Sequence, residues 1–307
     1  MSDESVRSAL RSDASLVVIE APAGCGKTHQ GADYVSDLLA RGLNRVLILA
    51  HTHAACSVFS ERTRAVGPRA EIRTIDSVIA EIASAYHAGI GVPADPTVWV
   101  RQRDDGHAEL ATKVARLVKR YPMIASSLAT RYSTVICDEH QDSSGDQHAL
   151  VMLLHEQGSR LRLFADPMQK IFKEKRLPGA NVAYSWDDLV RQAGLSEALD
   201  APHRWTTGCP RLGKWTLEAR EALKSGGKVD LRQAPPSVQV VYAENMAQRN
   251  LDYRLHADDR KLIDAFEKRQ SDLLVLTRHN DTARALRSFF NRRILLWEGY
   301  KIGRAHV

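Results

Sequence analysis

Leu16-Val-Val-Ile-Glu20-Ala21-Pro-Ala23-Gly24-Cys25-Gly26-Lys27-Thr28 decides how the rest of the chain is read. Four apolar residues, a glycine-rich turn and a Lys-Thr pair opening a helical pattern are the strand–loop–helix context of a phosphate-binding loop. Gly24 and Gly26 let the backbone wrap closely around phosphate oxygens. The N–H groups from Ala23 through Gly24, Cys25, Gly26, Lys27 and Thr28 would face the anion, and the helix dipole favours it there. Lys27 would reach the β- and γ-phosphates and the Thr28 hydroxyl would ligate Mg²⁺. The first glycine of the usual pattern is replaced by Ala21.

A second segment supplies the complementary chemistry. Thr134-Val-Ile-Cys137-Asp138-Glu139 is an apolar strand ending in two carboxylates. Ligands in parallel sheets bind at the carboxyl ends of the strands. Asp138 would therefore hold Mg²⁺ through water, and Glu139 would orient and deprotonate an attacking water.

Working outward, residues 16–20, 45–50, 134–138 and 161–166 read as buried parallel strands. Helical patterns at 28–40, 54–66 and 77–86 lie between them, so a doubly wound α/β domain is predicted. Residues 87–131 break the rhythm with Gly89, Gly91, Pro93 and Pro96, then a helix at about 107–120, and read as a small helical insertion. Lys113, Arg116 and Arg120 share a face of that helix, either as a solvated charged surface or as a nucleic-acid contact. A helix near 210–223 precedes a Gly-, Pro- and charge-rich stretch at 225–237. Strands at 238–243 and 273–277, with helices near 258–268 and 281–291, read as the opening of a second α/β domain.

The bulk properties narrow the function classes. At 307 residues, with 44% hydrophobic and 26% charged residues, the chain can build a sizeable core. No apolar run approaches the roughly 20 residues that span a bilayer. The polar start, residues 1–15, lacks an apolar signal core, and a cytoplasmic location is expected. Cys25, Cys56, Cys137 and Cys209 form neither a CxxC pair nor a disulfide framework. The net charge of +6 favours polyanionic partners.

Six further segments carry a family resemblance. Asp138-Glu-His-Gln-Asp-Ser-Ser144 with Gln147, Ala50-His-Thr-His-Ala-Ala55, Thr74-Ile-Asp-Ser77, Phe164-Ala-Asp-Pro-Met-Gln-Lys-Ile-Phe172, Pro202-His-Arg-Trp-Thr206 and Leu273-Leu-Val-Leu-Thr-Arg-His-Asn280 stand in the order of the motifs of UvrD-like superfamily 1 helicases. The chain resembles that family over roughly residues 15–300. The resemblance implies a RecA-like first motor domain at 1–205 (with the insertion at 87–131) and a partial second RecA-like domain at 206–301. It implies ATP and Mg²⁺ as cofactors and single-stranded DNA, or a single/double-strand junction, as partner. Asp166 and Gln169 would sense the γ-phosphate, and Arg204 would approach it as an arginine finger. Thr52, His53, Thr74 and Phe172 would contact DNA, and Asp142 would bridge the two sites. The chain departs from the family in three places: no glutamine precedes the phosphate loop, Glu174 stands where a base-stacking Trp is common, and the insertion is short.

The expected activity is an ATP-dependent helicase or translocase moving 3′ to 5′ on single strands. The rival readings are a DNA-dependent ATPase that senses or remodels without unwinding, and a nucleotide-switch module that binds a protein. The last six residues, Ile-Gly-Arg-Ala-His-Val at 302–307, match the translation of a common sequencing adapter, so they are expected to be a non-native tail on a truncated second domain.

Overall fold

The structure is a computed structural model that describes residues 2–42, 45–170, 177–245, 253–269, 275–277, 281, 282, 286 and 290. It divides into two compact units, Met1–Val229 and Asp230–Val307. Helix α1 (Ser2–Arg11) leads into β1 (Leu16–Glu20) and α2 (Lys27–Ala40), followed by β2 (Val46–Ala50), α3 (His53–Arg62), β3 (Ala70–Thr74) and α4 (Ile75–Ala85). The insertion is helical throughout: α5 (His87–Ile90), α6 (Pro96–Arg101), α7 (Gly106–Arg120) and α8 (Met123–Arg131). Then come β4 (Thr134–Cys137), α9 (Gly145–Glu156), β5 (Arg160–Ala165), α10 (Trp186–Gln192), β6 (Leu195–Ala198) and α11 (Pro210–Lys224).

The six strands form one sheet in the order β3-β2-β4-β5-β1-β6, with every pairing parallel. The expected α/β fold is therefore present. The four expected strands are the inner ones, whose residues alternate between two cores. Leu16, Val18, Leu47, Leu49, Val135, Cys137, Leu161 and Leu163 face α4, α7 and α9. Val17, Ile19, Val46, Ile48, Ile136 and Phe164 face α1, α2 and α3. A strand covered on both faces needs apolar residues at nearly every position. The sequence reading contained no strand at the two edges, β3 and β6. Their sequences, AEIRT and LSEA, are polar and only partly covered, so no apolar run marks them.

The insertion shares the sheet's core: Val92, Val100, Leu110, Val114, Val118 and Ile124 belong to the cluster that contains Leu47 and Val135. Two of its three aligned cations are occupied with backbone carbonyls. Lys113 Nζ donates to Ile90 O at 2.9 Å, and Arg116 donates to Gly179 O and Pro178 O at 3.2 and 2.8 Å. Buried Asp146 ties α9 to α7 and to the segment before α10, accepting from Thr112 Oγ1 at 2.6 Å and Asn181 Nδ2 at 2.7 Å.

In the second unit, β7 (Ala243–Asn245) and β8 (Tyr253–Leu255) pair antiparallel, followed by α12 (Ala257–Arg269). The helix expected at 258–268 is present. The strand expected at 238–243 is not: residues 238–242 carry no ladder and pairing begins only at Ala243. Pro235 and Pro236 just upstream lack the N–H a ladder needs, and Val238 N instead turns back to Pro235 O at 2.8 Å. Residues 275–277 form no strand, while most of the segments expected at 273–277 and 281–291, and all of 302–307, lie outside the described residues. The compact units divide after Val229, not after residue 205, because α11 packs on the first unit through the contacts described below.

One charged residue holds α1 in place. Arg162, in the middle of β5, has no exposed surface. Its guanidinium donates to the carbonyls of Leu10 at 2.8 Å, Ala14 at 2.9 Å, Leu161 at 2.9 Å and Ser12 at 3.0 Å. The carbonyl end of α1 is also the negative end of its dipole, so the cation is compensated without a carboxylate. A second polar cluster fixes the turn after β4. His51 Nε2 meets Ser143 Oγ at 3.0 Å, Ser143 Oγ meets His140 Nδ1 at 3.2 Å, and His140 Nε2 meets His148 Nδ1 at 3.0 Å. The Tyr184 hydroxyl donates to His140 O at 2.6 Å, and its ring stacks on His148 with centroids 4.2 Å apart. Burial lowers the pKa of all three imidazoles, that of His140 well below the usual range and that of His148 to about 4.

Two outcomes follow from these clusters. Arg162→Leu leaves several buried carbonyls without donors and should cost about 2–4 kcal/mol in denaturant unfolding; an unchanged midpoint would contradict the clamp. His148 is harder to protonate folded than unfolded, so its contribution is complete above about pH 6.5 and is lost as the pH falls towards 4. In His148→Asn, the acid-side fall in melting temperature should be shallower than in the wild type; an identical slope would remove His148 from the acid transition.

Candidate nucleotide-binding site

The glycine-rich turn leaves β1 beside β5, where Ala21 N donates to Ala165 O at 2.8 Å. Gly24 (φ 79°) and Gly26 (φ 85°) both take left-handed backbone conformations, which side chains with a Cβ rarely adopt. Gly26 caps α2 without any side chain, and no acidic residue stands in the helix's first turn. The first N–H groups of α2 have no intrahelical partner and form an anion-attracting end. Lys27 and Thr28 occupy that first turn. Cys25 is fully buried and its thiol is pushed up to about 11 by burial, so it packs as a protonated thiol.

The expected partners of the loop converge on Lys27. Its Nζ lies 3.3 Å from Asp138 Oδ1 and forms a short ion pair with Glu139 Oε1. Asp138 is 4% exposed, and its N–H donates to Leu49 O at 2.8 Å, which holds it at the end of β4. Glu139 has a positive φ of 52°, the only non-glycine to do so among the described residues. That turn swings its carboxylate back towards the loop, and its own N–H donates to Asp138 Oδ1 at 3.1 Å. Burial raises the pKa of the Asp138 carboxyl despite the pull of Lys27. For Glu139, burial opposes ionisation, but Lys27 and the hydrogen bond from Gln141 outweigh it and hold the carboxyl below its usual value. Lys27 is buried too, and the two carboxylates more than offset the burial, raising its pKa and keeping it charged.

Gln141, to which the sequence reading gave no role, joins the two acidic strand ends. Its Nε2 donates to Glu139 Oε2 at 2.7 Å, and its Oε1 accepts from Asp166 N at 2.9 Å. Asp166, 1% exposed at the end of β5, accepts from Gln169 Nε2 at 2.5 Å and from Met168 N at 3.1 Å. Lys27, Asp138, Glu139, Gln141, Asp166 and Gln169 are therefore linked in one polar network across the rim of β4 and β5. Only the position of Gln141 between Glu139 and Asp142 in the quoted motif could have drawn attention to it.

Arg204 sits in a 3-10 turn, His203–Trp205, that lies on the glycine loop. Its N–H donates to Gly24 O at 3.0 Å, and a methyl group placed on Gly24 would come within 2.7 Å of the Trp205 ring. Its side chain is exposed, with the guanidinium carbon 5.9 Å from the Trp205 ring.

The residues expected on DNA stand farther along the same rim. Thr52 caps α3, accepting from Ala55 N at 3.1 Å, and Thr74 caps α4, accepting from Ser77 N at 3.2 Å. The strands they follow are neighbours, with Ala50 paired to Thr74. His53 is exposed and borders an open polar groove with Ser57, Ser60 and Arg64. Asp142 follows Glu139 in a 3-10 turn, its N–H donating to Glu139 O at 2.9 Å. Phe172 and Glu174 lie outside the described residues.

Among solved structures, the chain is similar to the Pif1 helicase from Candida albicans, with 17% identity and a TM-score of 0.41. The match covers 89% of this chain and 55% of that one, so this chain spans little more than half of that helicase's length. No curated protein matches. A family model described as an AAA domain matches residues 3–174, more than half of the 307-residue chain, which takes in the glycine loop, the paired carboxylates and the Asp166–Gln169 turn. The chain belongs to this AAA domain family.

Proposed function

We propose that this chain carries the ATP-hydrolysing core of a motor on nucleic acid, a helicase or translocase of the UvrD-like kind moving 3′ to 5′ on single-stranded DNA. The observation that carries the reading is the buried Lys27 ammonium held between Asp138 and Glu139 at the sheet rim. There one phosphate-seeking cation is paired with two acidic groups. A triphosphate with its metal would replace each of those contacts with a stronger one.

The donor set fits ATP and Mg²⁺. Backbone N–H groups from Ala23 to Thr28 would line the phosphates, and the Thr28 hydroxyl and Asp138 would hold Mg²⁺. When bound, the ion would neutralise charge on the phosphate oxygens. Lys27 would turn from the carboxylates to the phosphates, freeing Glu139. Glu139 would then take the proton of a water, with Gln141 fixing the orientation of its carboxylate. Gln169, held by Asp166, would contact the γ-phosphate. Arg204, whose backbone is anchored on Gly24, would supply positive charge to the transferred group.

Thr52, His53 and Thr74 would meet the DNA strand along the β2–β3 rim. The 3-10 turn His140–Asp142 and the His51–Ser143–His140 contacts would join that rim to the ATP site. In this reading the first motor domain is Met1–Val229 and a second one opens beyond it.

The reading predicts three results on the chain. Lys27→Ala should lower nucleotide affinity by about a hundredfold or more, measured by fluorescent-nucleotide titration. Glu139→Gln should bind nucleotide within a few-fold of wild type yet hydrolyse it about a hundredfold more slowly or worse. Single-stranded DNA should accelerate wild-type hydrolysis. Indifference to DNA would favour a nucleotide switch, and unchanged turnover in Glu139→Gln would remove Glu139 from the chemistry.

A further inference from the structure

Arg220 belongs to none of the motifs above, yet its side chain is only 10% exposed and lies against the site. One terminal nitrogen donates to Asp166 Oδ1 at 2.7 Å and the other to Glu20 Oε1 at 2.6 Å. Glu20 is the last residue of β1, directly before the glycine loop, and Asp166 is the first after β5. Lys224, one turn further along α11, closes the outer side of Glu20 at 2.8 and 2.9 Å. The fork of the guanidinium offers a separate terminal nitrogen to each of the two carboxylates, which stand on neighbouring strands.

The Asp166 carboxylate is thereby divided between two tasks. Oδ1 takes Arg220 and the N–H of Met168, and Oδ2 takes the amide of Gln169. The same helix also packs on the turn that carries the other candidate γ-phosphate group, Arg204. Gly213 of α11 approaches Trp205 and Pro202 so closely that a Cβ there would stand 2.9 and 3.0 Å from their Cβ atoms. Arg204, between those two residues, is in turn bonded to Gly24. α11 is thus fixed at one end to the turn that carries Arg204 and at the other to the carboxylate that holds Gln169.

We propose that Arg220 is a positioning residue for γ-phosphate recognition: by bridging Glu20 and Asp166 it holds Gln169 in the orientation that distinguishes a nucleoside triphosphate from a diphosphate. The inference rests on the ATP-site reading above. Without the guanidinium, Asp166 keeps a buried carboxylate with one side uncompensated. It would then be free to turn, and Gln169 would lose its fixed acceptor. The ion pairs of Arg220 go to Glu20 and Asp166 and not to Lys27 or Asp138, so binding of the α- and β-phosphates would be spared.

The experiment measures Kd for MgATP and MgADP by calorimetry, with melting temperatures, for wild type, Arg220→Gln and Arg220→Lys. Wild type should prefer MgATP. Arg220→Gln should keep its MgADP affinity within about twofold and lose about tenfold in MgATP preference, the worth of one charge-assisted hydrogen bond. Arg220→Lys, which retains the charge but lacks the two-pronged fork, should fall between wild type and Arg220→Gln and serves if the glutamine variant fails to fold. Equal losses for both nucleotides would make Arg220 a structural ion pair and overturn the proposal, as would an unchanged ratio or a wild type without MgATP preference. A wild type that binds neither nucleotide would instead defeat the ATP-site reading itself.

Discussion

Lys27 lies 13% exposed between Asp138 and Glu139, in surroundings whose burial disfavours a lone ammonium. It stays charged because two carboxylates accompany it, and they in turn depend on it. Three ionisable groups removed from water together are tolerable only as a set. Each comes from a different part of the fold: Lys27 from the first turn of α2, Asp138 from the end of β4, and Glu139 from the left-handed residue that follows. The parallel sheet brings these ends to one rim, and the doubly covered core keeps the rim rigid.

From this cluster the polar contacts spread along the sheet edge. Gln141 links Glu139 to the backbone of Asp166, and Asp166 links Gln169 to Arg220 and, through Arg220, to Glu20. In the other direction, Ser143 and His51 lead to the neighbouring end of β2, where Thr52 starts α3. A buried polar network that is well matched at each step specifies one arrangement, because any slip leaves a group without its partner.

The inner half of the fold was readable because β1, β2, β4 and β5 need apolar residues on both faces, and their runs announce it. The edge strands were not, since a half-covered AEIRT or LSEA looks like any polar linker. Arg162 is the opposite failure. A charge inside an apolar strand gives no hint that its partners are the carbonyls of residues 10, 12 and 14, nearly 150 positions upstream. At the site, Lys27, Asp138 and Glu139 were legible because the chemistry of phosphate binding restricts residue type and spacing within short segments. Gln141 was visible within a motif but had no role assigned, and Arg220 had no local signal at all, because its two partners are 200 and 54 positions away in the chain. Thr52 and Thr74 show a further reason for partial legibility: a threonine at a strand end serves equally as a helix cap, and the structure uses both as caps.

The central claim is that the groups now neutralising one another around Lys27 are the ligands of a triphosphate and its metal. The most direct measurement is a structure of the chain with Mg²⁺ and a non-hydrolysable ATP analogue. The account predicts that Lys27 Nζ leaves Asp138 and Glu139 for the β- and γ-phosphate oxygens, that the ion sits by Thr28 Oγ1 and Asp138, and that Glu139 faces the γ-phosphate. Phosphates bound elsewhere, or a Lys27 still paired with both carboxylates beside a bound nucleotide, would contradict it.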